Sequence, residues 1–176
     1  MSKWEEKQLG SVCSEIFSGG TPSTLYPEYW NGEIPWLSSG ETSRRYIYNT
    51  EKTITELGAQ NSSTRLAKNG DIVIACAGQG KTRGQVSTIK RDMYINQSVI
   101  AIRGDSKNAD TDFIYYNLLL RYDELRYLSD ASSTRGSITT EMLKKLKIIL
   151  PDLPTQQRIA DILSIYDDLI ENNNKR

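Results

Sequence analysis

The residues that most strongly suggest catalysis form a glycine-rich run at positions 75–82 (ACAGQGKT). The run fits a relaxed phosphate-binding-loop pattern and follows an apolar segment that predicts a buried strand. Such a loop needs a helix that begins near Lys81, because the N-terminal amides of that helix hold the phosphate. Residues 83–89 (RGQVSTI) instead contain a glycine and several β-branched residues, which predict a strand. We therefore interpret the run as a glycine-rich hairpin that carries Lys81 and Arg83 outward.

Two carboxylates and a lysine suggest a second kind of chemistry. Asp92 and Asp105, with Lys107 close behind, faintly resemble the acid and lysine pattern with which nucleases hold magnesium and polarise water. Asp105, however, stands between Gly104 and Ser106, which is typical of a turn. The sequence contains no histidine, and it lacks the Asn/Asp-Pro-Pro-aromatic motif with which adenine methyltransferases grip a flipped base. We predict no catalytic residues, no metal and no cofactor.

Composition indicates one globular domain. The chain has 176 residues, of which 38% are hydrophobic and 25% are charged. Its N-terminal residues contain no apolar run of a signal peptide, and no segment approaches transmembrane length. Cys13 and Cys76 stand far apart, which favours free thiols in a reducing compartment. We therefore predict a cytoplasmic protein.

The charges are unevenly distributed although the net charge is zero. Residues 40–104 contain ten lysines and arginines but five acids, whereas residues 151–176 contain five acids and three bases. A basic middle and an acidic end favour interaction with a partner, and a solvated mixed surface is the alternative.

The elements that would position these charges alternate between strands and polar loops. Residues 46–54, 71–77, 86–89 and 94–103 predict strands, and residues 110–129 predict one helix capped by Asp110 or Thr111. The helix is expected to align five apolar residues on one side: Phe113, Tyr116, Leu119, Leu120 and Leu125.

Prolines and glycines set expectations for the first part of the chain. Residues 26–36 (YPEYWNGEIPW) contain two prolines, so we predict a packed loop that ends in a short strand, and not a central strand. Gly19 and Gly20 are interpreted as part of a turn cluster in which glycine permits positive φ, and they are expected to have structural roles. Asn96 and Gln97, which lead directly into an apolar segment, are expected to have structural roles.

The last quarter of the chain predicts a capped turn, a short helix, a strand ending at Pro151 and an amphipathic helix. Apolar residues of that last helix fall on one side at helical spacing: Ile159, Ile162, Leu163, Tyr166, Leu169 and Ile170. Either the helix folds back on the body, or this apolar stripe contacts another chain. We favour contact with another chain.

Several short motifs, kept in order along the chain, resemble one protein family. They are residues 9–12 (LGSV), 16–22 (IFSGGTP), 29–36 (YWNGEIPW), 70–73 (GDIV), 95–98 (INQS), 138–139 (IT), 150–154 (LPDLP) and 156–159 (QQRI). Together they resemble a target-recognition domain of the specificity (S) subunits of type I restriction–modification systems. Each motif alone is weak, but their order spans nearly the whole chain.

The resemblance implies a non-catalytic role in sequence-specific recognition of double-stranded DNA. Family members read a bipartite sequence, one half-site for each recognition domain. Their long conserved helices bring in the methyltransferase (M) subunit and, through it, the restriction (R) subunit. This chain departs from the pattern because it has one recognition domain and a shorter helix. It could be a natural half-length subunit that pairs with itself, or a shortened form of a longer subunit.

The fold expected is α+β: a twisted mixed β-sheet with short helices over residues 1–150, then a projecting amphipathic helix over residues 151–176. DNA would lie on polar, cationic loops that extend from the strands. There the cations would hold phosphates, and side chains with two hydrogen-bond donors or acceptors would read base edges. The candidate DNA-contacting residues are Ser38, Ser39, Thr42, Arg44, Arg45, Gln79, Lys81, Thr82, Arg83, Lys90, Arg91, Thr134 and Arg135. The main alternative is a protein–protein adaptor that acts through its C-terminal helix, and nucleotide hydrolysis ranks third.

Overall fold

The structure is a computed structural model that describes residues 4–78, 80–131 and 136–174. Its strands are β1 (Glu5–Gln8), β2 (Cys13–Ser18), β3 (Trp30–Leu37), β4 (Tyr46–Ile47), β5 (Lys52–Ile54), β6 (Arg65–Ala67), β7 (Ile72–Ala75), β8 (Val86–Ile89), β9 (Met93–Ile95), β10 (Val99–Gly104) and β11 (Lys147–Leu150). Its α-helices are α1 (Glu56–Gln60), α2 (Thr111–Leu119), α3 (Tyr122–Asp130), α4 (Thr140–Lys145) and α5 (Leu153–Asn174). Short 3-10 helices cover Leu9–Ser11, Pro27–Tyr29 and Ser39–Glu41.

The strands form mixed sheets, as predicted. A five-stranded sheet has the order β2-β10-β7-β8-β4, and a four-stranded sheet has the order β5-β3-β9-β6. Most neighbours are antiparallel, but β4 pairs with β8 and β3 pairs with β9 in parallel. A two-stranded ribbon joins β1 to β11. With its mixed sheets and its separate helices, the fold is α+β.

The five-stranded sheet is covered on both faces, because successive side chains of a strand point to opposite sides. On one face, Ile72 and Ile74 of β7 lie in a buried cluster with Ile114 and Leu118 of α2. On the other face, Val73 lies in a second cluster with residues of the four-stranded sheet such as Ile95. A strand buried on both faces reads as a continuous apolar run, which explains why β7 was predictable.

The expectation that residues 26–36 exclude a central strand is wrong. β3 occupies a central position between β5 and β9 although it contains Pro35. The pairing with β9 begins only at Trp36, and the pairing with β5 is interrupted by an irregularity between Trp30 and Ile34. Pro35 has no backbone N–H, but no hydrogen bond from this position to β9 is required.

The single helix predicted over residues 110–129 is also wrong in part. Asp110 caps α2 as predicted, since its Oδ1 accepts a hydrogen bond from the Phe113 amide at 2.9 Å. The chain then breaks at residues 120–121, and α3 begins at Tyr122. Leu119, at the end of α2, and Leu120, at the break, are 43% and 87% exposed and do not join the buried residues.

Gly19 and Gly20 do not use the positive φ that glycine permits; among the described residues that conformation occurs at other glycines, including Gly80 and Gly136. The two glycines instead permit close backbone contact. A Cβ on Gly19 would overlap the Ile95 carbonyl oxygen, and one on Gly20 would overlap Ser63 Oγ. Asn96 is structural, as predicted, because it is buried and its Oδ1 accepts a hydrogen bond from the Ser98 amide at 2.9 Å.

The last quarter of the chain folds as predicted. Thr139 caps α4 by accepting a hydrogen bond from the Met142 amide at 3.1 Å, and β11 ends before Pro151. The 22 residues of α5 correspond to a length of about 33 Å. In the described part of the chain, no helix is long and apolar enough to cross a membrane.

Candidate nucleic-acid interface

The parallel pair β4 and β8 brings two of the predicted DNA loops to the same end of the sheet. The Thr88 amide donates to the Arg45 carbonyl at 2.9 Å, and the Lys90 amide donates to the Ile47 carbonyl at 2.8 Å. Because the strands run in the same direction, the segments that precede them, residues 38–45 and 80–85, lie side by side. Ser43, Arg44 and Gln85 line one small cleft between these segments.

In the first loop, the candidate residues lie in different environments. Ser38 and Glu41 form a capping box around the 3-10 helix, and the Ser38 hydroxyl donates to Glu41 Oε1 at 3.0 Å. Thr42 is only 1% exposed and donates to the Ser39 carbonyl at 2.8 Å. Thr42 is thus a core residue and is unsuited to DNA contact, whereas Arg44 is exposed.

Arg45 is also unsuited to direct DNA contact, because its side chain is only 7% exposed. Its guanidinium forms ion pairs with Asp112 at 2.7 Å and Asp167 at 2.9 Å, and it lies 3.7 Å from the ring centroid of Tyr115. Burial alone would lower the pKa of Arg45, but the bond to Asp112 and the surrounding groups outweigh it and raise the pKa. Arg45 is a permanently charged internal residue, a role that its position beside Arg44 in a polar stretch did not indicate.

The second loop projects one cation and anchors another. Lys81 is exposed, and Gly80 has a φ of 64°, which a glycine adopts without strain. Arg83 is 11% exposed and pairs with Asp130 at 2.6 Å. The Tyr122 hydroxyl donates to the Lys81 carbonyl at 2.7 Å, so α3 supports the loop from below. Thr82 is half-buried, and Gln79 lies outside the described residues.

The segments that flank the third predicted loop lie beside the second. Arg83 donates hydrogen bonds to Asp130 Oδ1 and to the Gly136 carbonyl, which stand on either side of residues 132–135. The candidates Thr134 and Arg135 themselves lie outside the described residues. Arg83 therefore anchors the second loop to the flanks of the third, and the hairpin interpretation that carried it outward is wrong for this residue.

Lys90 and Arg91 place two further cations at the other end of the β4/β8 pair. Both are exposed; Lys90 Nζ lies 4.2 Å from the ring centroid of Tyr46, and Arg91 donates to Asn49 Oδ1 at 3.1 Å. Tyr48, which is not among the predicted contacts, is 53% exposed beside them. An aromatic residue close to cations was the signal in the sequence that could have indicated Tyr48. We define the cationic surface as Arg44, Lys81, Lys90 and Arg91.

The carboxylates considered for metal binding are engaged in separate turns. Asp92 Oδ1 accepts a hydrogen bond from the Asn69 amide at 2.8 Å, and Asp105 Oδ2 accepts one from Asn108 at 2.6 Å. Among residues 4–78, 80–131 and 136–174, no group of three or more His, Cys, Asp or Glu side chains could hold a metal ion. The glycine-rich run leads into strand β8 and not into a helix, as predicted.

The sequence left open whether the C-terminal helix folds back on the body or contacts another chain, and the helix has a side suited to each. It contacts the body through polar and small residues at helical spacing, among them Gln156, Ala160 and Asp167. On the opposite side, the apolar stripe is exposed: Ile162 51%, Leu163 37%, Ile165 59%, Tyr166 62%, Leu169 54% and Ile170 58%. Ile159 was assigned to the stripe but packs against the core, and Ile165 belongs to the stripe although it was not selected.

The fold is shared by solved structures of one class of protein, the S subunits of type I restriction–modification systems. Solved structures of this class support the assignment of the fold: an S subunit (HsdS) from Thermoanaerobacter tengcongensis superimposes with a TM-score of 0.67 at 22% identity, over 97% of this chain and 37% of that one. A structure from a study of complex assembly and conformational transition of the type I restriction–modification system gives 0.70 at 22% identity.

The sequence matches the same class over its whole length. Residues 1–176 match the family described as the type I restriction modification DNA specificity domain, and the chain belongs to that family. It is 33% identical over 178 residues to the MjaIX specificity subunit of Methanocaldococcus jannaschii and 34% identical over 170 residues to the EcoR124I/EcoR124II specificity subunit of Escherichia coli. The chain spans 40% and 41% of the length of these two relatives.

Proposed function

We propose that this chain recognises one half-site of a bipartite DNA target as part of a type I specificity subunit, without catalytic activity of its own. The observation that carries the proposal is that the family match covers all of residues 1–176, while the described loops and the flanks of the third converge around β8. Lysines and arginines there would neutralise phosphates and fix the register of the DNA.

Within this surface the residues have different roles. Arg44, Lys81, Lys90 and Arg91 would contact phosphates or guanine edges, since they are exposed and cationic. Arg45 and Arg83 would hold the loops in place from inside. Gln79, Thr134 and Arg135 remain proposed contacts, because their residue types suit base reading.

The exposed stripe of α5 supports a second part of the proposal. An exposed apolar stripe on a helix indicates a docking surface for another helix. We propose that it receives the methyltransferase subunit, and through it the restriction subunit, and that it also allows two copies of the chain to pair. The domain boundary at residue 150 and the cytoplasmic location stay predictions that follow from the same role.

Binding to a pool of random duplex DNA, with and without the methyltransferase subunit and at two salt concentrations, tests the proposal. Enrichment of a short defined motif, strengthened by the methyltransferase subunit, is the expected result. Binding that is sensitive to salt but enriches no motif would contradict half-site reading. Failure to bind at either salt concentration would favour the adaptor, for which the stripe of α5 alone is sufficient.

A further inference from the structure

One buried arginine joins three separate elements of the protein. The Arg45 guanidinium lies at the start of β4, where Nη1 donates to Thr88 of β8. Nη2 donates to Asp112 of α2 at 2.7 Å, and Nε donates to Asp167 of α5 at 2.9 Å. The positions of Arg45 and Asp167 differ by 122 residues, so this contact is purely tertiary.

Asp167 is the point at which the second half of α5 is attached to the body. Its Oδ2 accepts hydrogen bonds from both Arg45 and the Tyr116 hydroxyl, the latter at 2.6 Å. Among residues 161–173, as far as the structure describes them, no other side chain forms a hydrogen bond or ion pair with the body. Without Asp167, this half of the helix would lose its polar attachment.

The other side of this contact leads directly to the cationic surface. Ser43 and Arg44, which precede Arg45, are exposed. A cleft of about 680 Å³ separates this loop from the end of α5, and it is lined by Arg44 and Tyr48 on one side and by Ile170 and Glu171 on the other. The Arg45–Asp167 contact closes the base of that cleft.

We propose that Arg45 and Asp167 are positioning residues that couple DNA contact at residues 43–48 to partner docking on α5. The second half of α5 has two states, attached and detached, and only the attached state adds Asp167 to the contacts that Arg45 makes with Thr88 and Asp112, so that the loop before Arg45 is held more firmly. A partner that binds the attached helix more tightly than the detached helix stabilises the loop in its DNA-binding position, and DNA that binds the loop in that position stabilises the attached helix, because such coupling is reciprocal. The inference rests on the proposed function, which supplies DNA and the partner as ligands.

The attachment of the helix can be measured without any ligand. Spin labels on Gln60→Cys and Asn172→Cys, both at exposed positions, report the distance between the body and the end of α5. We expect one narrow distance distribution in the parent protein and in Asp168→Ala, which alters an exposed neighbour on the same helix. Asp167→Ala should broaden the distribution, and Asp167→Asn, which keeps the acceptor oxygen, should restore it in part. A narrow distribution in Asp167→Ala would overturn the attachment.

The coupling is measured by the affinity for random-sequence duplex DNA with and without the methyltransferase subunit. In the unaltered protein the subunit should tighten DNA binding by a factor of about 5–150, the usual range for coupled sites. Asp167→Ala should lose this factor while it still binds each ligand separately, and Asp168→Ala should keep it. An unchanged factor in Asp167→Ala would overturn the coupling. Absence of DNA binding by the unaltered protein would overturn the proposed function and the coupling with it, whereas the label distances would still decide the attachment.

Discussion

Arg44 and Arg45 are neighbours in the chain, but their side chains lie in opposite environments: Arg44 is exposed to solvent, and the Arg45 side chain is 7% exposed between Asp112 and Asp167. The first is free to meet DNA, and the second holds the structure that presents it. The pair therefore separates the proposed binding role of Arg44 from the folding role of Arg45 within two residues.

Arg44→Ala should weaken DNA binding with little effect on stability. Loss of one phosphate contact is expected to reduce the slope of log affinity against log salt by about one unit, while surface substitutions change stability by at most about 0.5 kcal/mol. Arg45→Ala should instead lower the free energy of unfolding by about 1.5–3 kcal/mol, because hydrogen bonds to charged groups are lost. Salt titrations of DNA affinity and urea unfolding of both variants check this, and an Arg45→Ala protein as stable as the parent would contradict it.

Arg83→Ala should disorganise two loops at once. Its guanidinium contacts Asp130 and the Gly136 carbonyl, so we expect a loss of about 1.5–3 kcal/mol in stability and a reduced preference for the target sequence. Lys81→Ala, at an exposed position two residues earlier, is the matched control and should lose only a phosphate contact. Thermal unfolding and selection from random duplexes measure both effects. Equal behaviour of the two variants would be inconsistent with an anchoring role for Arg83.

Ile165→Glu should prevent association through α5 without destabilising the chain. Ile165 is 59% exposed at the centre of the apolar stripe, so a charge there is solvated in the isolated chain but would be buried in a complex. Gln157→Glu adds the same charge at an exposed position off the stripe and should associate normally. Light scattering after size-exclusion chromatography, with and without the methyltransferase subunit, gives the result. Retained association in Ile165→Glu would exclude the stripe as the interface.

Gly19→Ala should destabilise the fold by about 1–3 kcal/mol, the usual cost of overpacking. The new Cβ would overlap the Ile95 carbonyl, whereas Gly40→Ala, the control, has no other atom closer than 4.0 Å. Urea unfolding compares the two variants. Equal midpoints would show that the backbone at Gly19 can shift to accommodate the Cβ without loss of stability.

Both cysteines should resist alkylation in the native state. Burial raises the pKa of the Cys76 thiol to about 11, and burial together with the charge of Asp105 raises that of Cys13 to about 12. Since the thiolate is the nucleophile, iodoacetamide at pH 8 should label neither until urea is added, which mass spectrometry detects. The folded pKa values exceed the unfolded value of about 8.5, so the free energy of unfolding should fall as the pH rises from there through 11–12. Rapid native labelling of Cys13, which is half-buried, would refute the raised pKa of its thiol.

The sequence by itself determined the family, the α+β class, and the elements whose signals are local. β7 was predictable because a strand buried on both faces is continuously apolar, and α2 and α4 because Asp110 and Thr139 are standard caps. The amphipathic period of α5 likewise required no tertiary information, and the order of the motifs along the chain was sufficient to identify the family.

Only the tertiary structure decided which polar residues are exposed. Thr42, Arg45 and Arg83 stand in polar, glycine-rich or hydroxyl-rich stretches and look solvated, but all three are largely buried. The partners of the two arginines, Asp112, Asp130 and Asp167, lie in distant helices. The central position of β3 and the break after α2 likewise depend on neighbours that no local window contains. Burial of an ionic group is a property of pairs that the fold brings together, and these pairs, whose members are 47, 67 and 122 residues apart, leave no mark on sequence spacing.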